Sequence, residues 1–149
     1  MKIFESKNEL KYYTDMNIIM HPFKKYFYKF TWLISDYECN YYPDKRICVS
    51  QEYVWMKGEE LYSIIESNEI QFIWGVFSGF SPGIKFKEIE KYKMPESEYF
   101  HHRENKNNTQ NPLASVEIVS WDSGMLYFKI KDDKYIKILK EILPKCKEI

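Results

Sequence analysis

Ser115-Val116-Glu117-Ile118-Val119-Ser120-Trp121-Asp122-Ser123-Gly124-Met125-Leu126-Tyr127-Phe128-Lys129-Ile130-Lys131 is the stretch on which the fold turns. Two alternating runs flank Asp122-Ser123-Gly124. If all three central residues form the loop, with Gly124 left-handed, Trp121 faces Met125, Val119 faces Tyr127 and Glu117 faces Lys129. On the other side Ile118 faces Phe128 and Val116 faces Ile130. Apolar residues then meet apolar ones and the acid meets the base, a match that a two-residue turn would scramble. The stretch predicts an antiparallel hairpin.

Beyond the hairpin, Asp132-Asp133 opens a helix whose Tyr135, Ile138, Leu139, Ile142, Leu143 and Cys146 keep to one helical stripe; Pro144 ends or kinks it. Ahead of the hairpin, residues 101–112 contain no apolar core-former and read as a mobile polar loop. Residues 84–99 carry a weak helical pattern. Ile70 to Phe80 is apolar on both alternating faces, as in a strand buried on both sides near the centre of a sheet. Residues 59–68 form a helix burying Leu61, Ile64 and Ile65, preceded by a short strand Tyr53-Val54-Trp55-Met56. A period of two from Tyr28 to Tyr37 marks another strand. Ser6 and Glu9 match a capping box, which predicts a helix over 7–20 stopped by Pro22. Together these elements predict one α+β domain over 1–149. Its mostly antiparallel sheet of about five strands carries packed helices and ends in a C-terminal hairpin and C-terminal helix.

Composition narrows the function classes. Lys and Arg number 22, as do Asp and Glu, so the net charge is zero, unlike the strong basic excess of most dedicated nucleic-acid binders. Lys supplies nearly all the positive charge and Ala114 is the lone alanine, a bias expected of AT-rich coding. The 18% aromatic content is therefore read through placement, not abundance. No signal-peptide core and no membrane-length apolar run is present, so a cytoplasmic protein away from membranes is expected, with Cys39, Cys48 and Cys146 as reduced thiols.

The chemistry-bearing motifs are few. Cys39 and Cys48 are nine residues apart and His101-His102 lie far off, unlike the close ligand pairs of zinc sites. No nucleophile elbow or phosphate-binding loop occurs. No catalytic residue, metal site or cofactor is expected. Asp36 and Glu38, two apart at a strand end, are the one pair suited to acid–base work, so a small hydrolase or nucleotide-modifying enzyme is the enzymatic alternative. Residues 32–69 hold eight acids against Lys45, Arg46 and Lys57. Within them Asp36-Tyr37-Glu38-Cys39-Asn40-Tyr41-Tyr42 interleaves acids with tyrosines, a composition suited to an interface with a basic protein. Asp36, Tyr37, Glu38, Tyr41 and Tyr42, extended by Glu59 and Glu60, are the expected binding surface. Single-stranded nucleic-acid binding through sheet aromatics is a third class, disfavoured by the acidic run.

Over Trp32-Leu33-Ile34-Ser35-Asp36-Tyr37-Glu38-Cys39 and Phe72-Ile73-Trp74-Gly75-Val76-Phe77-Ser78-Gly79-Phe80 the chain resembles small bacterial cytosolic proteins built on a domain of unknown function. More loosely it resembles the single-domain immunity proteins of polymorphic toxin systems. The resemblance covers about the middle third and carries over no binding residue. It implies a non-catalytic, stoichiometric protein binder.

Overall fold

The computed structural model describes residues 1–7, 9–10, 14–49, 51–98 and 108–149. Strands β5 (Val116–Trp121) and β6 (Met125–Ile130) form the expected hairpin, with Trp121 opposite Met125, Glu117 opposite Lys129 and Ile118 opposite Phe128. The turn differs from expectation. Asp122 and Ser123 take the positive φ values, 47° and 51°, while Gly124 lies outside the left-handed region. Two consecutive left-handed residues match the right-handed twist of the flanking strands. Gly124 instead closes the turn by donating its N–H to the Trp121 C=O at 3.1 Å.

Around this hairpin lies a sheet of seven antiparallel strands, not five, in the order β3-β2-β4-β5-β6-β1-β7. Strands β3 (Tyr53–Lys57) and β4 (Phe72–Phe80) match the sequence reading, with β4 inside the sheet between β2 and β5; β2 (Thr31–Cys39) begins three residues later than expected, because Tyr28–Phe30 turn back onto the helix before it, the Tyr28 N–H donating to the Lys24 C=O at 2.9 Å. The unexpected strands come from the chain ends: β1 (Lys2–Lys7) pairs along all six residues with β6, and β7 (Lys147–Glu148) pairs with β1. Ladder bonds to a distant strand thus override the local cap signal. Ser6 sits in β1 and its Oγ donates to Glu9 Oε2 at 2.6 Å.

The expected helix over 7–20 shrinks to α1 (Met16–Met20), capped by the Asp15 carboxylate, which accepts from Asn17 N–H. Residues 8 and 11–13 of that expectation lie outside the described residues. Pro22 does not stop the helical path. It opens a 3₁₀ turn (His21–Phe23), where no N–H is needed, and α2 (Lys24–Phe27) follows. Helix α3 (Gly58–Ser67) buries Leu61, Ile64 and Ile65 as expected, and α5 (Lys134–Ile142) buries Tyr135 and Leu139. These helices cover one face of the sheet, over Phe4, Trp32, Ile34, Phe77, Ile118 and Phe128.

The opposite face is covered by irregular chain. The weakly helical stretch 84–99 contains a single turn, α4 (Phe86–Ile89). Ile89, Met94, Leu113 and Ala114 pack there against Leu33 and Phe80. Residues 101–107 lie outside the described residues. The rest of the expected polar loop is anchored: Thr109 and Asn111 are buried, and Asn111 Nδ2 donates to the Ile89 C=O at 3.2 Å. Polar side chains substitute here for an apolar anchor by satisfying buried carbonyls. No helix among the described residues is long and apolar enough to cross a membrane.

Candidate functional site

The geometry of the acidic stretch is set by a bulge in β2. Ser35 pairs with Val76 and Glu38 with Trp74, so three steps along β2 answer two along β4. Asp36 absorbs the extra residue with φ of 46°. A bulge bends the strand and redirects side chains. Asp36 Oδ2 accepts from both the N–H and the Oγ–H of Ser97, each at 2.5 Å. That link, with Ser35 Oγ donating to the Pro95 C=O at 2.7 Å, fixes the 95–98 segment over the strand end.

Asp36, Tyr37, Glu38, Trp74, Ser97 and Glu98 thereby line an open depression of about 240 Å³. Glu98 was not foreseen, because its approach depends on the Asp36–Ser97 contact across 61 residues. No lysine or arginine lines the depression among the described residues. Trp74 stands edge-on to Trp121, ring centroids 4.3 Å apart, which fixes the indole at the rim.

The tyrosines divide. Tyr37 is half-buried against Phe72, and its hydroxyl donates to the Cys48 C=O at 2.6 Å. Burial pushes its phenol up to about 12. The Tyr42 hydroxyl accepts from the Cys39 N–H at 3.1 Å, and its ring packs against the core. Tyr41 is 42% exposed. Thus Tyr37 and Tyr42 brace the Cys39–Cys48 connection, and Tyr41 keeps a free face. Glu59 and Glu60 are not brought to this place. They open α3 beyond Lys57, which pairs with Thr31 at the other end of β2, roughly 20 Å from Glu38 at the usual rise per strand residue. Glu60 caps its helix by accepting from the Lys57 N–H at 3.0 Å.

Among the described residues no group of three or more His, Cys, Asp or Glu side chains is placed to hold a metal ion. None of the three cysteines forms a disulfide. Cys39 is buried and its thiol is pushed up to about 12, chiefly by desolvation. Asp44 is held down to about 2 by its hydrogen bonds from Arg46.

A second polar feature lies across the sheet. Glu117 and Lys129, 0% and 2% exposed, form an ion pair at 3.1 Å. The second Glu117 oxygen accepts from the Gln110 N–H at 2.8 Å. A cavity of about 360 Å³ lined by Lys93, Met94, Glu96, Asn108, Thr109, Gln110 and Lys129 opens beside it. The hairpin register anticipated the pair; its burial follows from the 94–98 and 108–112 segments folding over it. No family model matches this chain, and neither does a curated protein or a solved structure.

Proposed function

We propose that the chain is a non-catalytic protein-binding module whose depression at the β2 bulge takes a lysine or arginine side chain of a basic partner. The observation that carries this reading is the convergence of Asp36, Glu38 and Glu98 beside the Trp74 ring, with no lysine or arginine among the described residues lining the same space. At about 240 Å³ the depression falls below the range of pockets for drug-sized ligands and suits one side chain. Carboxylates orient and steer a cation, and an indole adds cation–π attraction where its face is offered. Asp36 serves the fold through Ser97, so Glu38 and Glu98 are the residues free to meet a partner. Tyr41 extends the contact, while Glu59 and Glu60 belong to another part of the surface. A stoichiometric binder of this kind fits the resemblance to immunity proteins.

The test uses an arginine-containing peptide, with the same peptide carrying citrulline as control, titrated while the Trp74 indole N–H is followed by NMR. The arginine peptide is expected to shift that resonance in a salt-dependent way. Glu38→Gln with Glu98→Gln is expected to remove the shift without loss of folding. A shift equal for both peptides, or unchanged in the double variant, overturns the reading.

A further inference from the structure

β3 is an edge strand of the sheet, and nothing among the described residues pairs with its outer side. Gly58 N–H donates to the Phe30 C=O at 2.7 Å, which sets the phase of the ladder, because bonded and non-bonded pairs alternate along antiparallel strands. Trp32–Met56 and Ile34–Val54 are then the bonded pairs. The main-chain groups of Tyr53, Trp55 and Lys57 therefore point away from β2. Lys57 N–H is taken by Glu60. The outward N–H and C=O of Tyr53 and Trp55 have no hydrogen-bond partner among the described residues. A depression of about 240 Å³ follows this edge, lined by Tyr53, Val54, Trp55 and Met56 between Arg46 and Glu60.

Edge strands are ordinarily blunted by proline, a bulge or an inward charge. β3 has none of these: its register with β2 is unbroken over five residues, and its one charge is Lys57 at the last position. At the other edge, β7 is two residues long and offers a poor template.

We propose that β3 pairs antiparallel with β3 of a second copy about a two-fold axis passing at Val54. Pairing requires residues whose main-chain groups face outward on both strands, which sets Tyr53 opposite Trp55 of the copy and the reverse. This register uses all four open groups of each strand, because Tyr53 and Trp55 exchange both N–H···O=C bonds across the axis. It also sets the two aromatic rings side by side on the face where both already pack on Phe86, with centroids at 5.3 and 5.6 Å. Cross-strand aromatic pairs of this kind stabilise sheets. The charges agree as well. Lys57 falls opposite Gln51 of the copy and beside its Glu52, so a strand with an acidic start and a basic end is complementary to itself when reversed. A two-fold contact needs only this one patch, used twice.

Sedimentation equilibrium and amide hydrogen exchange on the full chain test the pairing. The chain is expected to dimerise, with Tyr53 and Trp55 amides gaining protection as concentration rises. Tyr53→Pro removes an outward donor that the β2 ladder does not use. Trp55→Lys sets two cations near each other across the axis. Each variant, checked by circular dichroism for retained folding, is expected to weaken dimerisation by at least about tenfold, or about 1.4 kcal/mol. A monomer at every concentration, or a dimer whose Tyr53 and Trp55 amides exchange freely, overturns the proposal. So does a dimer undiminished in a folded Tyr53→Pro or Trp55→Lys variant.

Discussion

Replacing Lys129 by Met removes the cation paired with the buried Glu117 carboxylate. The carboxylate would then remain fully buried, with the Gln110 N–H as its hydrogen-bond donor among the described residues. Breaking a buried pair from one side costs about 3–5 kcal/mol, mostly because the surviving charge is stranded in a poor solvent. With a urea m-value of about 2 kcal/mol/M, that cost moves the unfolding midpoint down by roughly 2 M. Adding Glu117→Gln to Lys129→Met is expected to restore most of the loss. Glutamine keeps an acceptor for Gln110, and its cross-strand neighbour Ser78, whose hydroxyl has no hydrogen-bond partner among the described residues, is available to the new amide. The assay is urea unfolding of wild type, both single variants and the double variant as a thermodynamic cycle. If Lys129→Met lies within about 1 kcal/mol of wild type, the pair is solvated and the covering of this face by 94–98 and 108–112 is refuted.

Gly58→Ala is expected to destabilise the fold clearly by equilibrium unfolding, since its Cβ would lie 2.5 Å from the Phe27 carbonyl oxygen and 2.6 Å from that of Tyr28. Gly124→Ala, whose nearest atom would be 3.5 Å away, is expected to be mild, and the reverse ranking would refute the turn geometry. Leu139→Ala is expected to cost about 2–5 kcal/mol, because the side chain is fully buried on the helix-covered face; a change within error would remove α5 from that core. Tyr37→Phe loses the bond to the Cys48 carbonyl, at about 1 kcal/mol near neutral pH. The native phenol ionises later than the unfolded one. Its contribution is therefore present below about pH 10 and lost as pH rises toward about 12, with Tyr62 acting in the same direction. The variant should show a shallower alkaline decline in stability, and an unchanged decline would refute the burial of this hydroxyl.

The hairpin, β2, β3, β4, α3 and α5 were legible because their patterns are local. Alternation or helical stripe within one segment states which face is buried, and the Glu117–Lys129 match selects the register without knowledge of any other strand. Ser6 and Glu9 satisfy a short-range rule that predicts a helix from Lys7, whereas Ser6 and Lys7 end β1, and only the ladder to β6 outweighs that rule. The left-handed positions at Asp122 and Ser123 likewise depend on matching strand twist, which composition favouring Gly124 did not convey.

Of the candidate surface, the sequence determined the acids and tyrosines and their order along the chain. Tertiary structure decided which of them share a place. The bulge at Asp36 is an extra residue relative to β4, defined only by the partner strand. It brings Glu98 to Glu38 and Trp74 through Ser97. The same long-range pairing carries Glu59 and Glu60 to the far end of β2. Segment charge is a sum over neighbours in the chain, whereas a binding surface is made of neighbours in space, and in a sheet those are set by strand order and register.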